Sequence, residues 1–224
     1  MINIALDGPV GAGKSSVARE SAKRLGYVYV DTGALYRAVG LYCVRNGIEM
    51  TEENEANVKK AIEGGLTLEL RLEDGVQLVY MNGENVSDEI RLPEISMAAS
   101  AVSAIPAVRR FLLETQRSIA AAHDVIMDGR DIGTVILPNA QVKIFITAKP
   151  EIRAKRRYDE LIAKGIEADY DEVLSDLMTR DYNDSHRKEA PLKQAEDAIL
   201  LDTSELDFER SVRAVVELAK KAAK

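Results

Sequence analysis

Apolar residues along this chain come in short bursts, and the spacing within each burst predicts its structure. Ile2-Asn3-Ile4-Ala5-Leu6-Asp7 reads as a short buried strand, followed by a glycine-rich turn from Gly8 to Gly13. Val17, Ala18, Ala22 and Leu25 then repeat at helical spacing, which predicts a helix from about Lys14 to Leu25 with Gly26 as its stop. Tyr27-Val28-Tyr29-Val30 reads as a second strand ending at Asp31-Thr32-Gly33, and the next helix carries Leu35, Val39 and Cys43. Strand, helix, strand, helix in this order predicts an α/β sheet with parallel neighbours.

The middle of the chain follows a different rule. Leu66-Thr67-Leu68-Glu69-Leu70-Arg71-Leu72 alternates apolar and polar, Val76 to Met81 supplies a partner strand, and Asn82-Gly83 is a strong turn signal. Residues 64 to 86 therefore read as a small antiparallel element inserted in the α/β chain, half exposed where the core strands are continuously apolar. Helices resume near Leu92 to Ala104, and Pro106 opens another that carries Val108, Leu112 and Ile119. Core strands return at Val125 to Asp128 and at Val142 to Ile146. A charged helix follows Pro150 and ends near Gly165, and a second begins over Leu174 to Tyr182. Ala198 to Asp202 is the last core strand, before an amphipathic helix carrying Leu206, Val212, Val215, Val216 and Leu218. The expected fold class is α/β: a five-stranded parallel sheet flanked by helices.

Composition narrows the function. With 224 residues, 46% of them apolar, the chain can bury a substantial core as one domain or as one core with smaller inserted lobes. The net charge of -7 disfavours a nucleic-acid partner, since a phosphate backbone needs a positive footprint. A single cysteine, Cys43, reads as a buried thiol in a reducing compartment, and two histidines are too few for a structural zinc site. No apolar run approaches the roughly 20 residues of a membrane span, and no secretory signal is evident at Met1-Ile2-Asn3-Ile4. The expectation is a cytoplasmic protein with no membrane partner, and a monomer, since no dimerisation segment is evident.

Gly8-Pro9-Val10-Gly11-Ala12-Gly13-Lys14-Ser15 matches the phosphate-loop pattern in full, and it lies between an apolar strand and a helix as that pattern requires. Glycines let the backbone wrap phosphate closely, and the amides and the helix N-terminus face the anion. Lys14 is expected at the transferring phosphate and Ser15 on Mg²⁺, with Ser16 completing the nucleotide-binding set and Asp128 organising the magnesium or capping the following turn. ATP is the natural donor, although such a loop reads phosphates rather than the base.

Phosphoryl transfer needs charge neutralisation and alignment, so arginines matter. In Asp31-Thr32-Gly33-Ala34-Leu35-Tyr36-Arg37, Arg37 and Thr32 can bind an acceptor phosphate, or Asp31 or Thr32 can simply cap a helix. Asp128-Gly129-Arg130-Asp131 follows a core strand, at the sheet edge that commonly hosts ligands. Arg130 can grip phosphate and Asp131 can accept from an amino group, or the two can form a turn pair. Arg153, Arg156 and Arg157 have the spacing to share one helical face, with a solvated face paired to Glu151, Asp159 and Glu160 as the alternative. Arg180, Asp184 and Arg187 can likewise share a face if their helix runs that far, or form a salt-bridge ladder.

Taken together, the chain resembles the cytidylate kinases among the nucleoside-monophosphate kinases. The resemblance rests on Gly8 to Ser15, Asp31 to Arg37, Val86-Ser87-Asp88-Glu89-Ile90-Arg91, Ala99-Ser100 before Pro106 and Arg109, Asp128 to Val135, and Arg180-Asp181 with Asp184 and Arg187. It implies ATP- and Mg²⁺-dependent phosphorylation of CMP and dCMP. It also implies a core domain (1–36, 106–150 and 171–224), an enlarged NMP-binding insertion (37–105) and a short lid (151–170). By resemblance Thr32 and Arg37 contact the acceptor phosphate. Ser100, Arg109 and Asp131 face cytosine, Arg130 and Arg187 lie at the phosphates, Arg180 and Asp184 face the sugar, and the lid arginines are Arg153, Arg156 and Arg157. Asn183 stands where some relatives carry arginine. The competing expectations are a kinase for UMP or another small metabolite, and a nucleotide switch without catalysis.

Overall fold

The computed structural model describes residues 1–51, 53–73 and 76–222. In chain order the elements are β1 (Asn3–Asp7), α1 (Lys14–Leu25), β2 (Val28–Asp31), α2 (Thr32–Arg45), α3 (Glu55–Gly65), β3 (Leu68–Glu73), β4 (Val76–Met81), β5 (Glu84–Asn85), α4 (Pro93–Ser103), α5 (Pro106–Ala122), β6 (Val125–Gly129), β7 (Val142–Thr147), α6 (Pro150–Ala163), α7 (Tyr170–His186), β8 (Ile199–Asp202) and α8 (Phe208–Ala222). A single 3-10 turn spans Glu89–Arg91 and a π-turn spans Ile132–Ile136.

Among the described residues two sheets form. The larger is a five-stranded parallel sheet of order β2-β6-β1-β7-β8. β1 pairs with β6 in the register Asn3↔Val125 to Asp7↔Gly129, and with β7 from Ile4↔Val142 to Asp7↔Phe145. Flanked on both sides, β1 has Ile4, Ala5 and Leu6 fully buried, which is why it reads as an unbroken apolar run. The smaller sheet, β3-β4-β5, is antiparallel. Asn82 and Gly83 both have positive φ, 51° and 81°, the conformation a two-residue hairpin turn needs between Met81 and its partner Glu84. Residues 74 and 75 of the expected antiparallel element lie outside the described residues.

The chain divides into two compact units, 1–29 with 123–224, and 30–122; the division falls inside β2. The first unit has a core of Ile4, Leu6, Val17, Ala18, Ala22, Ile126, Ile144 and Ile146, with Val212, Val215 and Ala219 of α8 packed against them. Each such valine contributes about 1.5–3 kcal/mol by leaving water, which is what anchors the last helix. The second unit has its own core, in which Leu35, Val39 and Cys43 of α2 meet Val58 and Ile62 of α3, Val79 and Met81 of β4, Val102 of α4, and Val108 and Leu112 of α5. α5 thus belongs by packing to the second unit, a grouping that the expected boundary at residue 105 does not follow.

Candidate active site

The phosphate loop begins where β1 ends. Gly8 has φ +149°, and a Cβ there would sit 1.9 Å from the carbonyl oxygen of Ile146, so only glycine lets the chain turn this close to β7. Gly13, at φ 82°, is the N-cap of α1 and brings no side-chain acceptor, so the first-turn amides are left for an external anion. Lys14 lies over the loop and donates from Nζ to the carbonyl of Pro9 at 2.7 Å. It is only 5% exposed. Burial first, and the Arg130 guanidinium second, push its pKa down to about 7, against the pull of Asp128, Asp7 and Asp184. A bound polyphosphate acts in the opposite direction and favours the ammonium form.

Ser15 and Asp128, the two residues expected at magnesium, converge: Ser15 Oγ donates to Asp128 Oδ2 at 2.7 Å. Tyr29 OH donates to the other carboxylate oxygen at 3.2 Å and so orients it. Among the described residues no cluster of three or more His, Cys, Asp and Glu side chains gathers to hold a metal. A hydroxyl and a carboxylate nevertheless fit Mg²⁺, which keeps several waters and takes the rest of its oxygens from substrate phosphates.

The loop is also gripped from behind. Arg153 Nη1 donates to the carbonyl of Val10 at 2.9 Å and to Asp181 Oδ2 at 2.6 Å, while Arg153 Nε donates to the carbonyl of Ala148 at 2.8 Å. The Val10 amide donates to Asp181 Oδ1 at 3.3 Å. The shared arginine face expected on α6 does not form. Arg153 is buried against the loop, Arg156 donates to the carbonyl of Thr203 at 2.7 Å, and Arg157 is half exposed and pairs with Glu160 at 2.9 Å. Offsets of three and four bring side chains near each other, but tertiary partners decide where each one turns.

A second polar group gathers beyond β6. Arg130 Nε donates to Asp184 Oδ2 at 2.8 Å, and Arg187 Nη2 lies 3.4 Å from Asp131 Oδ1. Arg130, Asp131, Asp184 and Arg187 are therefore brought together. The helical face expected for Arg180, Asp184 and Arg187 is incomplete: α7 ends at His186, and Arg187 is its C-cap with extended backbone and donates to the carbonyl of Ala190 at 2.7 Å. Arg180 lies one turn before Asp184 on α7, partly buried. Asp184 reaches to Arg130, so a simple ladder along α7 is not what holds it.

The second unit carries the remaining candidates. Asp31 is the cap of α2, accepting from the Ala34 amide at 3.1 Å, which is the helix-cap alternative for that segment. Gln77 of β4 holds the Asp31 backbone from both sides, accepting its N–H at 2.8 Å and donating to its carbonyl at 3.3 Å. Thr32 is buried at the start of α2, and Arg37 Nη1 lies 3.8 Å from Asp31 Oδ2. Arg109 on α5 donates to the carbonyl of Ser103 at 3.3 Å, with its guanidinium 5.7 Å from the centre of the Tyr36 ring. The Ser100 carbonyl accepts from Ser103 Oγ at 2.8 Å.

Asp7, Tyr29, Gln77 and Asp181 receive no site role from the sequence, although Asp181 is among the residues that carry the resemblance. A carboxylate ending an apolar strand beside a glycine loop was the available signal for Asp7. The roles of Gln77 and Asp181 become legible only once the chain is folded.

The model of the cytidylate kinase family matches residues 4–221. The chain belongs to the cytidylate kinase family. It is similar to a cytidylate kinase of Caldanaerobacter subterraneus subsp. tengcongensis, 50% identical over 100% of this chain and 96% of that protein. It is also similar to a cytidylate kinase of Caldicellulosiruptor bescii, 48% identical over 100% of this chain and 97% of that protein. A crystal structure of an uncharacterized protein from Eubacterium ventriosum aligns with a TM-score of 0.52 at 13% identity, covering 98% of this chain and 99% of that one, a likeness of fold alone. Among the described residues no single helix is long and apolar enough to cross a membrane.

Proposed function

We propose that this member of the cytidylate kinase family transfers the γ-phosphoryl group of ATP to CMP or dCMP, releasing ADP and CDP or dCDP. The observation that carries the reading is the family match from end to end on a chain whose phosphate loop opens its helix amides to an anion. The acceptor phosphate oxygen attacks the γ-phosphorus in line. The new P–O bond forms as the bond to the β,γ-bridging oxygen breaks, and the bridging oxygen leaves with ADP. No side chain needs to remove a proton, because the acceptor phosphate is already ionised. His123 and His186 have no assigned part.

Residues Gly8 to Ser16 are assigned to the triphosphate, with Lys14 at the transferring group. Ser15, and Asp128 through water, would hold Mg²⁺, which when bound neutralises phosphate charge. Arg130 and Arg187 are assigned to the phosphates, and Arg157, half exposed on α6, is the lid arginine in the best position to reach one. Thr32 and Arg37 are assigned to the acceptor phosphate, and Arg180 and Asp184 to the sugar. Ser100, Arg109 and Asp131 are assigned to the base. Cytosine offers an amino donor with N3 and O2 acceptors, so a carboxylate and a guanidinium match it. Uracil presents O4 to that carboxylate, and a buried mismatch costs about 1–3 kcal/mol. The same reading makes the protein a cytoplasmic monomer without a stable nucleic-acid or membrane partner.

An assay coupled to ADP formation, run with ATP, magnesium and CMP, dCMP, UMP, AMP or shikimate in turn, tests it. Turnover with CMP and dCMP well above that with UMP is expected. Comparable rates with CMP and UMP contradict the base assignment, and ATP binding without any acceptor-dependent turnover contradicts the enzyme.

A further inference from the structure

Asp7 is the last residue of β1 and precedes the glycine loop, yet both of its carboxylate oxygens are bonded to another segment. Oδ1 accepts the N–H of Ile132 at 2.8 Å and Oδ2 accepts the N–H of Gly133 at 2.7 Å. Those amides directly follow Asp131 and open the π-turn Ile132–Ile136, so they are helix-start donors that need an acceptor. The carboxylate is nearly sealed, with Asp7 5% exposed. On its other side Asp131 is held by the same turn, its carbonyl accepting the N–H of Val135 at 2.9 Å and of Ile136 at 3.2 Å. Gly133 packs closely here: a Cβ would stand 3.3 Å from Asp7 Oδ2 and 3.2 Å from Lys143 Cδ, tight enough to displace them slightly.

We infer that Asp7 is a positioning residue for the acceptor base: by taking two consecutive amides it fixes the corner that carries Asp131, and so sets the affinity for the cytosine nucleotide. The inference rests on the assignment of Asp131 to the base. It concerns Asp7 in its ionised form, which alone offers an acceptor oxygen to each amide; a protonated carboxyl has an O–H pointed at one of them. Burial first, and the nearby Asp131 carboxylate among the smaller causes, push the pKa of Asp7 up to about 6, against the two amides and Lys14. The charged groups around it are therefore Lys14 of α1, Asp131 after β6, and Lys143 of β7 across Gly133, the last paired with Asp197 at 2.8 Å.

Asp7→Asn keeps the shape, accepts one amide and sets an NH₂ against the other. Its KM for CMP is expected to rise about tenfold, the effect of one buried unmatched donor, with KM for ATP within about twofold of wild type. The ratio of variant to wild-type KM for CMP is expected to shrink as pH falls through about 6, because protonated Asp7 then resembles asparagine. Ionisation of CMP itself is common to both proteins and cancels in that ratio. An unchanged KM for CMP, an equal loss on both substrates, or a ratio flat in pH overturns the inference. If Asp7→Asn does not fold, Gly133→Ala, which crowds the same carboxylate, is expected to raise KM for CMP selectively, and a folded Gly133→Ala with the wild-type value overturns it. Failure of the underlying reading is seen separately, as a wild-type protein that shows no CMP-dependent ADP formation.

Discussion

In the unit built on the five-stranded sheet, Asp7, Lys14, Asp128, Asp131, Arg153 and Asp184 are nearly buried, and each lies in a short hydrogen-bonded chain to a loop or a turn. In the unit 30–122, Arg37, Ser100 and Arg109 are only partly buried, and Thr32 alone of the acceptor candidates is sealed in. That unit is held together chiefly by its apolar core, from Leu35 on α2 to Leu112 on α5. Buried dipoles and charges are pre-aimed and cost nothing to reorganise when charge develops, so they act on the transition state. Partly solvated cations are screened and add affinity instead. Changes at the first-unit groups that meet the transferring phosphate should therefore lower kcat, and changes at the acceptor candidates of the second should raise KM.

The largest effect is expected from Lys14→Ala. Loss of the one ammonium at the loop should lower kcat for CMP-dependent ADP formation by roughly 10²–10³-fold, with circular dichroism unchanged, since electrostatic donors at the reacting group contribute on that scale. A near-normal rate would remove the first unit from its catalytic part. Next comes Arg153→Met, which takes the ion pair from the partly buried Asp181 and frees the carbonyl of Val10. A rise of about tenfold in KM for ATP is expected, with KM for CMP little changed, because the loop rather than the acceptor loses its support. Arg37→Ala tests the other side: KM for CMP should rise about tenfold at nearly constant kcat, and a kcat loss as large as that of Lys14→Ala would erase the contrast between the units.

A different kind of effect is on stability. The pKa of Lys14 falls from 10.5 in the open chain to about 7 when folded, so between those values the unfolded chain binds more protons and stability rises with pH. Lys14→Met should remove that slope. Thermal denaturation without nucleotide should show the variant most stabilised relative to wild type near pH 7, with the gap narrowing toward pH 9. A gap that is constant with pH would mean that the ammonium is not strained by burial.

Strands β1, β6 and β7 were legible because central parallel strands are apolar on both faces, and α1 because Val17, Ala18 and Ala22 repeat on one face. α3 was not, since Val58 and Ile62 are its only buried positions and two glycines end it. The π-turn after Asp131 follows no apolar period either; its amides are organised by Asp7, 125 residues or more away in sequence. The loop motif is legible because its chemistry is local, and the fold sets Lys14 over the loop and Ser15 against Asp128. Arg153 could not be placed from its helix alone, since periodicity says which residues share a face and not which of them meets Val10 and Asp181.

Amide hydrogen exchange with one substrate at a time tests the division between the units most directly. ATP with magnesium should protect the amides of residues 11 to 16 and leave 30–122 near its unliganded rate, while CMP alone should protect 32–37 and 100–109 in the second unit as well as 130–133 in the first. Protection by ATP within 30–122, or CMP binding that leaves 30–122 unchanged, would contradict the account.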